Sequence, residues 1–180
     1  FMHAHFQFAI SGVSRQFIWS FLHSHPFYNS EQVSQRYVEV KKGSYYMPEY
    51  IGNARSVYDE TIEMQFQAYR DICELMEGPV EAEFFKRFNK SERMEKQHRS
   101  SIKKKCQEIA RYVLPVATTA YLYHTVNGIV LMRLWRACMG SDVPMEARRV
   151  VGMMVEEVLK YDPQYGEVLK DPHYFHDYTH

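Results

Sequence analysis

The chain lacks a net charge: 22 Lys and Arg stand against 22 Asp and Glu in 180 residues. No global field therefore draws it toward nucleic acid or an anionic membrane, and any anion has to be held by a local site. Long apolar runs are also missing. The longest mainly apolar stretch, Val126 to Met132, falls far short of the roughly 20 residues that span a bilayer, and no charged, apolar and small-residue leader is visible. A cytoplasmic protein with neither a membrane nor a nucleic-acid partner is expected. Cysteine is scarce: Cys73, Cys106 and Cys138 are odd in number and far apart, without the short pairs of a zinc site or the density of a secreted disulfide scaffold. Buried reduced thiols are expected. Internal repeats and low-complexity tracts are absent. Phe1 stands where an initiator Met would and a strand begins almost at once, so a short missing amino-terminal segment is expected. What remains suits a single domain over residues 1–180 with a tail at 171–180, large enough to bury about two-thirds of its unfolded surface.

From His3 to Ile10 apolar and polar residues alternate, which predicts a half-buried strand ending at Gly12. Ser14 can cap the helix that follows, where Phe17 and Phe21, and Ile18 and Leu22, recur four apart; Pro26 stops it. Asn29 to Ser34 reads as polar loop and Arg36 to Val40 as extended chain, followed by a turn at Lys41-Lys42-Gly43-Ser44 and an irregular aromatic segment, Tyr45 to Pro48. Tyr58, Ile62, Phe66, Tyr69, Cys73 and Met76 have helical spacing, with Gly78-Pro79 as terminator. A second long helix is predicted from Ser91-Glu92 through Ile102, Cys106, Ile109 and Val113 to Leu114-Pro115, and a third, apolar on most sides, from about Thr118 to Cys138. Asp142 and Pro144 open a fourth, with Pro in its first turn, carrying Val150, Val151, Met154, Val158 and Leu159.

Chemistry concentrates in Asn29-Ser30-Glu31-Gln32-Val33-Ser34-Gln35-Arg36-Tyr37-Val38, which packs amide, hydroxyl, carboxylate and guanidinium groups into one short segment. Bland roles exist for each: Arg36 can pair with Glu39, Asn29 and Glu31 can serve a turn, and Arg111 can favour a helix's negative end. Asn127, flanked by apolar residues inside the third predicted helix, needs a partner for its amide, which another helix can supply. The His3/His5 and His23/His25 pairs suit a transition ion in type, but no third ligand follows at a recognisable spacing, so no metal is expected. Lys103-Lys104-Lys105 reads as a solvated face, Tyr45 and Tyr46 as core or as stacking surface, and Cys138 as no nucleophile.

Taken in order, these segments resemble the flavin-dependent thymidylate synthases. Ser34-Gln35-Arg36-Tyr37 matches the family's Ser-x-Arg-Tyr, Ala110-Arg111-Tyr112-Val113-Leu114-Pro115 looks like its Ala-Arg-x-x-Leu-Pro, Thr125-Val126-Asn127 its Thr-Gly/Val-Asn, and His3 the His of its Glu-His pair. The resemblance implies an α+β fold, a twisted, mostly antiparallel sheet packed with long helices, assembled as a homotetramer with sites between subunits. It implies an enzyme that methylates deoxyuridine monophosphate (dUMP) to dTMP with methylene-tetrahydrofolate, FAD and NADPH. Arginine suits such a site because its planar fork grips phosphate or carbonyl oxygens at two points and keeps its charge. By position, Arg36 and Arg111 would contact the nucleotide, Arg111 also acting in catalysis. Ser34 and Gln35 would serve the phosphate and Glu31 the sugar, while His3, His23, His25, Asn29 and Asn127 would contact the cofactor. The chain departs from the pattern where His23-Ser24-His25 stands for Arg-His-Arg, with one residue more before Ser34. Ser20 replaces a Gln, Ile129 and Cys138 replace arginines, and Asp142 replaces a His. Two alternatives stay open: a degenerate paralogue that keeps fold and oligomer as a binding or structural subunit, and a flavoprotein acting on another phosphorylated substrate.

Overall fold

A computed structural model describes residues 2–34, 40–41, 43–49, 52–140 and 142–169. These fall into two compact units, one within Phe1–Gln32 and Thr119–His180, the other within Val33–Thr118.

The first unit is built on a three-stranded sheet, β1 (His5–Ser14), β2 (Tyr28–Gln32) and β3 (Thr119–Asn127), in the order β1-β3-β2 with both pairings antiparallel. Alternation sets its faces. Along β3, Ala120, Leu122, His124 and Val126 are buried while Tyr121 and Tyr123 are exposed, and the register puts Phe6 opposite Val126, Phe8 opposite His124 and Ile10 opposite Leu122. β1 does not end at Gly12 as predicted. A bulge between Ser11 and Val13, with Gly12 at φ +69°, carries it on to Ser14; glycine takes that conformation without strain. Helix α1 (Arg15–His23) then starts on the predicted cap, Phe17 N–H donating to Ser14 Oγ at 2.9 Å. It buries Phe17, Ile18 and Phe21.

Two further expectations are corrected here. Tyr28 to Gln32 is a strand, although its polar residues read as loop, because an edge strand needs only a backbone partner and leaves its side chains wet. Thr119 to Asn127 is a strand rather than the start of a helix. The helix, α4 (Gly128–Gly140), begins only after Asn127. Helix α5 (Met145–Tyr161) begins as predicted but with Pro144 as its cap, the Pro144 carbonyl accepting from Ala147 N–H and Arg148 N–H. It buries Val151, Met154, Val155 and Val158. Short α6 (Tyr165–Leu169) turns the buried Tyr165 ring edge-on to Phe6, 5.4 Å between centroids.

The second unit is a helical hairpin. Helix α2 (Ala54–Arg87) runs for 34 residues, and 3-10 turns at Glu92–Met94 and Arg111–Val113 flank α3 (Glu95–Ala110). Val80, Ile102 and Cys106 form its core with Met76, Phe84, Phe85 and Ile109. The predicted stop at Gly78-Pro79 is overridden. Both residues are exposed, so the carbonyl that Pro79 leaves unpaired meets water, and the interior-proline cost of about 3 kcal/mol is offset by apolar side chains on either side, each worth about 1.5–3 kcal/mol when buried. Gly78 has nothing within 4 Å of an added Cβ. Gly78→Ala should therefore raise stability by roughly 0.5–1 kcal/mol, and a urea midpoint unchanged or lowered would contradict a continuous α2. The segment at Tyr45 and Tyr46 is tied down within this unit: Tyr45 bridges Thr118, Tyr46 N–H donates to the Ala117 carbonyl at 2.9 Å, and Tyr45 Oη donates to Asp59 at 3.1 Å. Among the described residues no helix is long and apolar enough to cross a membrane.

Candidate functional site

The outward face of the sheet collects much of what the sequence singled out. Because residues opposite one another in antiparallel strands share a face, the register lines up Asn29, Thr125 and Gln7 across the three strands, then Glu31, Tyr123 and Ala9, with His5 opposite Asn127. Asn29, Glu31, His5 and Gln7 are exposed, as are the Tyr121 and Tyr123 rings, which meet edge-on at 6.5 Å. His3, also exposed, accepts at its carbonyl from His5 Nδ1–H at 3.1 Å. Sequence reasoning missed Gln7, Tyr121 and Tyr123; the alternation from Ala120 to Val126 was the signal for the two tyrosines, hidden by the apolar run that follows.

Asn127 ends this row. Its amide is satisfied by its own helix, not by another: Oδ1 accepts from Val130 N–H at 2.9 Å, closing the first turn of α4. Nδ2 remains available to donate. Asn127→Ala should cost about 1 kcal/mol as the loss of a helix cap, with Asn127→Asp close to wild type in the same thermal unfolding assay.

The predicted imidazoles part company. His23 is exposed on α1, stacked on the Trp19 ring at 4.5 Å, and its Nδ1–H donates to the Trp19 carbonyl. His25 is buried and turns inward. Its Nε2 lies 3.2 Å from Nε2 of the fully buried His124, and Phe21 and Tyr28 pack against both rings. Burial holds the His124 imidazole down at about 4, with the neighbouring His25 adding to the effect. Burial lowers His25 too, opposed by a hydrogen bond to the Phe21 backbone. Nothing in the sequence marked His124, since a lone histidine in an alternating strand has no local pattern to announce a partner ninety-nine residues away.

At the other end of β3, where Ser14 pairs with Thr119, Ser14 and Glu146 form a second buried polar group. Ser14 N–H and Oγ–H both donate to the Glu146 carboxylate at 2.6 Å. This ties the start of α5 to the junction of β1 and α1.

Arg111 belongs to the other unit, where it follows α3 in a 3-10 turn. Its guanidinium is half-buried and lies over the Tyr112 ring, 5.1 Å from its centroid, with one terminal nitrogen 3.5 Å from Tyr112 Oη. Nε is enclosed and has no hydrogen-bond partner, and no carboxylate pairs with the side chain among the described residues. Ser34 is half-buried in the same unit, whereas Gln35 and Arg36 lie outside the described residues.

The replaced positions are quiet. Ser20 spends its hydroxyl on the Gln16 carbonyl at 2.6 Å, Ile129 is half-buried and Asp142 is exposed. Cys138 is buried, and burial pushes its thiol up against the opposing charge of Arg148. Lys103, Lys104 and Lys105 are exposed, Lys105 pairing with Glu108 at 2.8 Å.

The sequence pattern of the family described as "Thymidylate synthase complementing protein" matches residues 1–164. A curated relative, the flavin-dependent thymidylate synthase of Clostridium tetani (strain Massachusetts / E88), is 31% identical over 164 residues, which cover 89% of this chain. The chain spans 61% of that relative's length. A UMP/dUMP methylase from Streptomyces cacaoi, PolB, whose crystal structure was determined with 5-Br dUMP, shares the fold with a TM-score of 0.64 at 20% identity, over 93% of this chain and 72% of the other.

Proposed function

We propose, since the chain belongs to the flavin-dependent thymidylate synthase family, that it carries out the reductive methylation of dUMP to dTMP with methylene-tetrahydrofolate, FAD and NADPH. The observation that carries this reading is the Arg111 guanidinium, half-buried with Nε enclosed and unpartnered. The unpartnered Nε works against the fold, because an unmade buried hydrogen bond costs about 1–3 kcal/mol. An anion accepting from Nε and a terminal nitrogen together removes that cost. A nucleotide phosphate is one such acceptor, and a pyrimidine carbonyl oxygen gathering negative charge during reaction is another. Arg111 is thus substrate contact and electrostatic catalyst in this reading. Ser34, Gln35 and Arg36 are assigned to the same nucleotide by their motif alone, and Glu31 to its sugar.

The outer sheet face has the donors that FAD requires. Asn127 keeps Nδ2–H after capping α4, Asn29 offers an exposed amide, His3 an exposed imidazole, and the Tyr121 and Tyr123 rings a flat apolar surface, while His23, exposed on α1, is assigned to the cofactor by its position in the sequence alone. These residues fit the group and would hold it; His25, enclosed, enters only by supporting β2. Bound there, the flavin would, once reduced by NADPH, supply the hydride and return to FAD. A cytoplasmic homotetramer follows from the family resemblance.

A second reading is favoured by the replaced positions. Buried Cys138 and half-buried Ile129 are apolar where the family places arginines, which suits a paralogue that binds nucleotide or flavin without turnover. Purified protein decides between them. Flavin absorption after incubation with FAD, together with tritium release from labelled dUMP when folate and NADPH are supplied, is the expected result. A protein that takes up no flavin and releases no tritium is the degenerate paralogue. One that takes up flavin without release is either a flavin-binding paralogue or a flavoprotein for another phosphorylated substrate, and flavin reoxidation in the presence of other phosphorylated compounds separates the two.

A further inference from the structure

Hydrogen counting assigns the protons of the buried imidazole pair. Ser24 Oγ–H donates to the Phe21 carbonyl at 2.7 Å, so toward His25 Nδ1, 3.1 Å away, Ser24 can only accept, and His25 carries its proton on Nδ1. His25 Nε2 is then a lone pair, and His124 Nε2–H donates to it across 3.2 Å. That leaves Nδ1 of His124 bare, which agrees with its burial without a hydrogen-bond partner. The pair is satisfied only when neutral. One added proton puts N–H against N–H between the rings, or drives the His124 proton to Nδ1, where nothing accepts it.

We propose that His25 and His124 form a neutral-imidazole latch that holds the start of β2 on the sheet and lets it go when the pair takes up a proton. The geometry sets what would move. Tyr28, the first residue of β2, packs on both rings, His124 faces Ser30 across the strand pair, and Ser30 Oγ donates to the Tyr123 carbonyl at 2.9 Å. Among the described residues β2 has no strand on its other side, so these contacts, the Arg15 guanidinium donating to Gln32 Oε1 at 2.9 Å and the ladder to β3 are its attachment to the sheet.

Charge from elsewhere does not offset the added proton. The groups facing the pair are Phe21 on α1, Phe8 on β1, and Tyr28 and Ser30 on β2; the Tyr28 phenol is the one titratable group among them and donates to the Leu22 carbonyl at 2.7 Å. His5 on β1, His23 on α1, Glu31 on β2, Arg133 and Arg136 on α4 and Glu146 on α5 do not figure in the shift of either imidazole. The sign is therefore that of a base whose neutral form the fold favours: stability from the pair is full above the ordinary histidine value of 6.5 and is lost as pH falls from there toward about 4. Because β2 carries Asn29 and Glu31, acid would also disorganise the outer face; that consequence rests on the proposed function, the latch itself does not.

The test needs no nucleotide. Amide hydrogen exchange and imidazole NMR titration are followed on the full chain from pH 7 to 5, comparing amides of Tyr28–Gln32 with those shared by β1 and β3. One imidazole freed from about 4 to 6.5 predicts roughly a 20-fold loss of β2 protection relative to the β1–β3 amides over that range, with both buried imidazoles titrating below 6.5. His124→Phe should reduce the pH-dependent loss by the share that imidazole carries, and the double variant His25→Phe/His124→Phe, which leaves no imidazole inside, should abolish it. Imidazoles titrating at or above 6.5, β2 protection that tracks the other strands, or a loss that persists in the folded double variant would overturn the latch.

Discussion

Replacing Arg111 with alanine is expected to weaken dUMP binding by about 10- to 150-fold, the equivalent of one charge-assisted hydrogen bond at about 1.5–3 kcal/mol, while leaving the folded protein within about 0.5 kcal/mol of wild type. The second half distinguishes a ligand-binding arginine from a structural one. A guanidinium that held α3 or the following turn in place would take stability with it. This one has an enclosed, unpartnered Nε and no carboxylate among the described residues, so its removal relieves an unmet donor at the cost of some packing on Tyr112. Arg111→Lys keeps the charge without the two-point fork and should recover only part of the affinity. Titration calorimetry with dUMP and urea unfolding on the same preparations give both numbers. Unchanged affinity, or a large loss of stability, would return Arg111 to the ordinary role of a residue at a helix end.

Glu146→Ala is expected to cost about 3–5 kcal/mol of stability. Two hydrogen bonds to a charged acceptor, each worth about 1.5–3 kcal/mol, disappear, and the Ser14 N–H is left inside without a partner. The loss reaches further than the pair, because Ser14 also caps α1 through Phe17 N–H, so the junction of β1 and α1 and the start of α5 loosen together. Glu146→Gln retains one acceptor for Ser14 N–H and should lose roughly half as much. A total of 5–15 kcal/mol is ordinary for a domain, so Glu146→Ala would bring unfolding within reach of mild heating. Denaturant titration read by far-ultraviolet circular dichroism measures both variants. A midpoint for Glu146→Ala equal to wild type would show that water replaces the carboxylate without penalty.

Legibility followed the range of the physics. The segment from His3 to His23 was readable because its signals are local: a period of two, a serine before a period of about four, a proline after it. The strand starts at His5 rather than His3, and its end at Gly12 was misread because of a bulge, which depends on what the partner strand does. The segments assigned to nucleotide and cofactor were legible only as motifs, and the family those motifs resemble is the one to which the chain belongs. The stretch from Thr118 to Cys138 was misread because Ala120, Leu122, His124 and Val126 alternate into a helix whose apolar run masks the change of period at Gly128.

By itself the sequence determined the cap at Ser14 and the start of α5 through preferences acting over one or two turns of chain, and the mixed α+β class through the family its motifs resemble. Tertiary structure alone decided that a polar stretch at Tyr28 to Gln32 is a strand, that α2 passes through Pro79, that Asn127 caps its own helix, and that His25 meets His124. Each of these depends on which distant backbone or side chain is close enough to form a hydrogen bond or exclude water, and that proximity exists only once the chain has folded.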